Sequence, residues 1–221
     1  FKQGDDLSAV YPCRSIHQFY ALDSKGRAYS IPVSALPGGR GDGVPLASLI
    51  DVQDGARLVH YFAGSDDSKL VVVTEQGLGF ACKASDLQSR VKAGKSFVNL
   101  AQGDAILKLM CVVPDDLFLA CLASNGRLLN FLLAELKELS SGGKGVILMG
   151  LDDEVTLLDV LPNDGVALLV QHNARVGKAQ ELRVSGGNLQ PFVGGRAKKG
   201  KLIDAKLKPV GLSKLVTPSL V

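Results

Sequence analysis

No stretch of this chain approaches the roughly 18 uninterrupted apolar residues that a membrane-crossing helix requires, and the first residues lack a signal-peptide pattern. The expectation is a soluble, cytoplasmic protein with no membrane span. Cysteine is scarce. Cys13, Cys82, Cys111 and Cys121 form neither a Cys-x-x-Cys pair nor a compact disulfide framework, and each sits among apolar residues, so all four read as buried free thiols. His17, His60 and His172 are scattered, with no second histidine or glutamate at ligand spacing, which excludes a metal centre. No nucleophile, base and oxyanion set can be assembled, and the GKG and AGK segments lack the Gly-x-x-x-x-Gly-Lys-Ser/Thr spacing of a phosphate cradle. By itself the chain is not expected to catalyse a reaction. Helical pattern is almost missing too: LLAELKEL from Leu132 has i, i+4 apolar spacing but coincides with a strand end, so a single turn is expected there.

What the chain does contain is a repeat of about fifty residues. It reads QFYALDSKGRAYSIPVSAL from Gln18, LVVVTEQGLGFACKASDL from Leu70 and FLACLASNGRLLNFLLAEL from Phe118, with a weaker copy, LLVQHNARVGKAQELRV, from Leu168. Gly26, Gly77 and Gly126 occupy the same turn position, taken in the last copy by Ala174. Leu36, Leu87, Leu136 and Val184 recur after it, and a second glycine recurs at Gly43, Gly94, Gly145 and Gly200. One such unit cannot bury its apolar face without neighbours, so the chain is expected to be a stacked or radial array.

Within the second copy, LVHYFA, KLVVVT, LGFACK and SFVNLA are short, β-branched or aromatic, and bounded by Gly, Asp or Ser, and they read as four strands. Glu75-Gln76-Gly77 suits a three-residue hairpin whose glycine takes a positive φ, and Ser24-Lys25-Gly26 and Ser124-Asn125-Gly126 fit the same turn. In the last copy His172-Asn173-Ala174 lacks the glycine, so Asn173 is expected to carry a looser turn. Asp66-Asp67 and Asp115-Asp116, each just before a strand, read as turn formers. Gly4 aligns with the second-glycine series, which makes five such loops. The fold class expected is all-β, a propeller-like ring of about five four-stranded blades, one incomplete, in a single domain over residues 1–221. The opening FKQGDDLSAV matches a stretch that falls late in a repeat, so the chain is expected to begin mid-repeat as part of a longer subunit.

The formal net charge is only +3, but its distribution is polarised. GGRAKKGKLIDAKLK from Gly194 is strongly basic, while acidic residues gather at Asp66-Asp67, Asp115-Asp116 and Asp152-Asp153-Glu154. Such a surface favours an anionic partner on one side. Glycines in the loops let backbone N–H groups come close to phosphate oxygens, and flanking cations neutralise those phosphates without reading bases. Repeated at each blade edge, such loops spread cations along an arc that offsets the cost of bending a duplex. The candidates are Arg40; Arg90, Lys92 and Lys95; Lys144; and Arg196, Lys198, Lys199 and Lys201. Lys25, Arg27 and Arg127, beside the hairpin turns, form a second set.

The turn-glycine hairpins, LDSKGRAYSIPVSALPGGRGDGVPL from Leu22, VTEQGLGFACKASDL and the terminal GGRAKKGKL together resemble the C-terminal domain of the A subunit of bacterial type IIA topoisomerases, closer to topoisomerase IV than to gyrase. The resemblance covers nearly the whole chain. It implies a β-pinwheel whose blades exchange strands and whose rim binds and bends double-stranded DNA. It also implies a catalytic tyrosine outside this chain, so Tyr11, Tyr20, Tyr29 and Tyr61 do not take that role. Implied partners are the ATPase subunit together with the N-terminal catalytic region of the polypeptide this domain ends, with Mg and ATP used by the full enzyme, no cofactor in this domain, and a place at the bacterial nucleoid. Gyrase carries a basic box, approximately Q-R-R-G-G-R-G-K-G. Here LPGGRGDGVP has Arg40 as its sole cation opposed by Asp42, and GGRAKKGK lacks the Gln-Arg-Arg start, which speaks against gyrase-like wrapping. The function expected is selection of DNA crossings for the enzyme core. The alternatives are a gyrase DNA-wrapping domain and a propeller that scaffolds protein interactions.

Overall fold

The computed structural model describes residues 9–38, 43–173 and 179–215. Four hairpins organise it. The first is β1 (Gln18–Asp23) and β2 (Arg27–Pro32), followed by β3 (Leu58–Gly64). The second is β4 (Lys69–Thr74) and β5 (Leu78–Lys83), followed by a two-residue strand β6 (Lys95–Ser96) and β7 (Ile106–Cys111). The third is β8 (Phe118–Ala123) and β9 (Arg127–Leu132), then β10 (Val146–Ile147) and β11 (Leu157–Asn163). The fourth is β12 (Ala167–Asn173) and β13 (Ala179–Ser185), then β14 (Lys201–Leu202) and β15 (Pro209–Lys214).

The strands of one repeat do not make one sheet. The orders are β3-β1-β2-β6, β7-β4-β5-β10, β11-β8-β9-β14 and β15-β12-β13. Each of the first three hairpins is therefore completed on its outer edge by a short strand from the repeat that follows, which is the strand exchange of a β-pinwheel. The four runs expected as one sheet in the second repeat are divided accordingly: LVHYFA and the start of SFVNLA join the first blade, KLVVVT and LGFACK the second. SFVNLA contributes only its first residue, Ser96, to a ladder, together with the preceding Lys95. The described residues hold four sheets, against about five expected; the fifth loop rested on Gly4, which lies outside them.

The hairpins close as the glycine pattern requires. Gly26, Gly77 and Gly126 have φ of 84°, 80° and 79°, and their N–H groups donate to Asp23, Thr74 and Ala123 carbonyls at 3.0, 3.1 and 2.9 Å. The fourth hairpin departs from the expectation. Asn173 is a strand residue paired with Ala179, because the connection runs over 174–178 and is longer than in its siblings. Ala174 lies outside the described residues.

Side-chain alternation explains why the central strands read as unbroken apolar runs. On β4, Leu70 and Val72 pack with Tyr20, Leu22 and Ala28 of the first blade, while Val71 and Val73 pack with Leu119, Cys121 and Phe131 of the third. On β8 the alternate residues Ala120 and Leu122 turn to Leu168 and Val170 of the fourth. Both faces of an interior blade are buried, so neither side of the strand can be polar. The first blade's far face has a different cover. Ala21, Tyr29 and Ile31 pack beneath Ile50, Leu46 and Leu49 from the segment after its own hairpin. Leu133–Glu135 is one 3-10 turn, as expected for the LLAELKEL segment. The thiols divide in a way the sequence reading did not foresee: Cys82 and Cys121 are buried, but Cys13 and Cys111 are exposed, because Cys111 ends β7 and Cys13 precedes the first strand. Both acidic pairs sit in the turns before β4 and β8.

The third strands β3, β7, β11 and β15 contact one another in chain order. At the bulge each hairpin shares with its third strand stands one residue that reaches the next blade. His60 Nε2 meets the Ile106 carbonyl at 3.0 Å. Lys108 donates to the Asp159 carboxylate and, at 3.1 Å, to the Val160 carbonyl. Asp159 in turn accepts the Leu212 N–H at 2.7 Å. The equivalent in the fourth blade is Gly211, which has no side chain to pass on.

Candidate nucleic-acid interface

The rim is built by the segments that pass from one hairpin to the outer edge of the blade before it. Each segment grips that edge at two places. Ser30 Oγ donates to the Ser89 carbonyl and accepts its N–H, and Arg27–Ala28 pair with Ser96–Lys95. Ala81 bonds to Lys137 and Leu139, and Leu78–Gly79 pair with Ile147–Val146. Asn130 accepts the Gly194 N–H, and Arg127–Leu128 pair with Leu202–Lys201. Between the grips lie the loops 90–94, 140–145 and 195–200. These are the loops in which the cations are written.

The second-glycine series ends each loop for a steric reason. Gly94, Gly145 and Gly200 have φ of 65°, 81° and 66°, and an added Cβ would stand 2.6, 2.6 and 2.5 Å from the carbonyl oxygens of Ala28, Gly79 and Leu128 on the preceding blade. These glycines serve blade exchange, whereas the sequence reading gave them to phosphate approach. At Gly43 an added Cβ would meet nothing within 4 Å.

The loops are also tied to one another. Gly143 donates to the Phe97 carbonyl at 2.7 Å and accepts from Asn99 at 3.0 Å. One blade further, Ala197 donates to Leu148 at 2.9 Å and the Lys198 carbonyl accepts from Gly150 at 3.0 Å. The rim is thus a continuous main-chain belt from the Lys95 segment through Lys144 to Lys201. Such a belt holds its cations at fixed intervals on consecutive blades.

The candidate residues divide by what their side chains do. Arg90, Lys92, Lys144, Lys198 and Lys201 are exposed, and their side chains have no hydrogen-bond partner among the described residues. Lys95 lies over the Phe97 ring, 5.6 Å from its centroid. Lys199 is paired with Asp152, whose carboxyl is held below its ordinary range by the hydrogen bond and charge of Lys199. Arg196 donates its guanidinium to the Ile147 carbonyl, and its N–H bonds to Glu135 at 2.8 Å. Of the turn-side set, Lys25 donates to the Asp54 carbonyl at 2.6 Å. Arg27 reaches the Ala93 and Gly94 carbonyls at 2.8 and 2.7 Å, and Arg127 reaches Gly200 at 3.0 Å. Arg40 lies outside the described residues. Sequence reasoning missed Lys137, exposed on the second blade's grip, because its segment read as a helical turn. No group of His, Cys, Asp or Glu among the described residues could hold a metal ion. No described helix is long and apolar enough to cross a membrane.

The likeness to known proteins follows the repeats. A family model described as DNA gyrase C-terminal domain, beta-propeller matches residues 24–61, 68–112 and 118–164, each segment holding a hairpin's second strand and reaching into or through the third strand after it. The A subunit of DNA topoisomerase 4 from Pseudomonas aeruginosa is 34% identical over 210 residues, covering 90% of this chain and 27% of that protein. Its counterpart from Neisseria gonorrhoeae is 33% identical over 212 residues, covering 92% and 27%. The chain therefore spans only 27% of the length of these relatives. The solved E. coli ParC C-terminal domain superposes with a TM-score of 0.84 at 27% identity, covering 96% of this chain and 87% of that one. Exchanged blades, matched repeats and nearly full-length superposition lead to one conclusion: the chain belongs to the DNA gyrase C-terminal domain, beta-propeller family.

Proposed function

We propose that this chain is the non-catalytic disc of a topoisomerase IV A subunit, which binds and bends duplex DNA on its rim and so selects the crossings that the enzyme core passes. The observation that carries this reading is the belt of exchange loops, which presents Arg90, Lys92, Lys144, Lys198 and Lys201 outward on consecutive blade edges. Cations at that repeat neutralise phosphates without base contacts, so binding is sequence-tolerant. Bending is offset by attraction gained along the arc. The partners are double-stranded DNA, the N-terminal catalytic region of the same polypeptide and the ATPase subunit, in the bacterial nucleoid.

Salt-titrated binding to a duplex of about 40 base pairs tests it. Five neutralised phosphates predict a slope of log affinity against log salt of about −4.5, a loss of roughly 500-fold between about 50 and about 200 mM. Charge reversal at Arg196, Lys198, Lys199 and Lys201 should weaken binding and flatten that slope. Affinity that ignores salt would refute the assignment and favour a protein-interaction scaffold. The family description also names gyrase, whose domain would wrap DNA. Relaxed circular DNA treated with a nicking-closing enzyme separates the two: the bend proposed here leaves almost no linking-number change, whereas chiral wrapping leaves a marked one.

A further inference from the structure

The hairpin arginines stand at equivalent places, directly after the turn glycines Gly26 and Gly126, and both guanidinium groups point at the same kind of target. Arg27 donates to the carbonyls of Ala93 and Gly94, through Nε at 3.1 Å and Nη2 at 2.8 and 2.7 Å. Arg127 donates to the carbonyl of Gly200 at 3.0 Å. Gly94 and Gly200 are the glycines that end the rim loops of the following repeat. In the second blade the same place after Gly77 is Leu78, which has no donor to offer the Gly145 carbonyl. The distribution of loop charge follows that difference. Between the grips, the loops facing Arg27 and Arg127 hold Arg90 and Lys92, and Arg196, Lys198 and Lys199, while the loop facing Leu78 holds Lys144 alone.

We infer that Arg27 and Arg127 are positioning residues: each clasps the end of a basic rim loop and so sets where its cations meet the DNA, and the duplex is gripped mainly at these two stations, two blades apart, with the intervening blade as a weakly charged spacer. A mobile loop with the same charges would bind phosphate less well, because ordering it would be a cost of binding. The planar guanidinium suits this role. It spans two carbonyls at once in the first blade, which a lysine ammonium on a flexible stem does not reproduce with the same geometry. A fixed two-station grip also gives bending a lever, since two anchored contacts flank a stretch of duplex that must follow the rim between them.

The inference rests on the DNA-binding reading, and the experiment separates the two. Arg127→Gln, Arg127→Lys, Arg27→Gln and Arg27→Lys are compared with the unaltered 221-residue chain by amide hydrogen exchange and by salt-titrated binding to a duplex of about 40 base pairs. As a clasp, Arg127 should leave Lys201–Ile203 amides exchanging faster in both its variants. Duplex affinity should fall about fivefold with the salt slope unchanged, and lysine should not rescue it. If Arg127 instead met phosphate directly, glutamine would reduce the slope by about 0.9, lysine would restore it, and exchange would stay as it was; that result overturns the clasp. Unchanged exchange together with unchanged affinity overturns it as well. If a glutamine variant fails to fold, the lysine variant gives the same discrimination through exchange and rescue. Should the unaltered chain not bind duplex at all, the DNA reading fails, and the exchange arm still decides whether the arginines order the loops.

Discussion

Ala197 holds a left-handed backbone, φ 65°, at the place where the preceding repeat has Gly142 with φ 70°. A Cβ is disfavoured there, so Ala197→Gly should stabilise the chain by about 0.5–1 kcal/mol in denaturant unfolding, glycine's own entropy cost offsetting part of the relief. Gly26 is the opposite case. Its φ is positive and a Cβ would come 2.1 Å from the Val98 carbonyl, so Gly26→Ala should cost about 3 kcal/mol by the same measurement. The thiols give a chemical check. Burial pushes Cys82 up to about 12 and raises Cys121, and partial burial also raises the exposed Cys111, so a thiol reagent at pH 8 should modify Cys13 first and Cys111 more slowly in the native protein, and all four only after unfolding. The turn glycines were readable residue by residue because only glycine accepts their backbone without strain. The exposure of Cys111 was not, since its neighbours Met110 and Val112 are apolar and the strand ends between them and solvent.

At the scale of elements, the exchange strands were the least legible feature. A two-residue strand such as β6 carries no periodicity, and its partner lies far away in sequence, so strand exchange was expected from the family resemblance, and in the residues themselves only the recurring second glycine marked it. The hairpins, by contrast, announced themselves through apolar runs around a turn glycine. The bridge from each third strand to the next blade was invisible for a related reason: His60, Lys108, Asp159 and Gly211 are four different residue types at one structural position, and no repeat comparison would align them by chemistry. Its strength is testable. Lys108→Met leaves the Asp159 carboxylate with two backbone donors but no cation, and should destabilise by about 1–3 kcal/mol, with a double-mutant cycle against Asp159→Asn showing the two sites coupled. The rim has its own pH response. Asp152 is depressed by Lys199, so the order this pair lends the loop is complete above the ordinary carboxylate value of 3.8 and is lost as pH falls through the lower folded value. Carboxyl carbon shifts of Asp152 followed by NMR should titrate below 3.8, and Lys199→Met should move that titration upward, with Arg127 still lowering it.

Across the whole molecule, interlocking should make four blades behave as one cooperative unit. The composition supplies the probes: all four tyrosines lie in the first third of the chain and there is no tryptophan, so intrinsic fluorescence reports chiefly on the first blade. Protection of Cys121 reports the third. Coincident denaturation midpoints for the two signals are expected, and separated midpoints would mean that the blades unfold independently despite their shared strands. The repeat in the sequence was enough to identify an array. It was not enough to locate the end cover on the first blade, where Leu46, Leu49 and Ile50 take the place a neighbouring blade fills elsewhere, because those residues sit in a stretch whose copies in the other repeats do different work.

The borrowed edge strands also have a consequence for synthesis. A chain leaving the ribosome from its N-terminus finishes the hairpin of β1 and β2 long before Lys95 and Ser96 emerge to cover its edge, and the next hairpin then waits for Val146 and Ile147, and the third for Lys201 and Leu202. Because each covering segment follows the next hairpin in the chain, up to two unpaired strand edges travel with the nascent end, while all earlier ones are already sealed. Vectorial growth confines the stickiest surface of the molecule to a window no more than two blades wide, and a pause in translation between a hairpin and its covering segment is the point at which two nascent copies would most readily pair with each other.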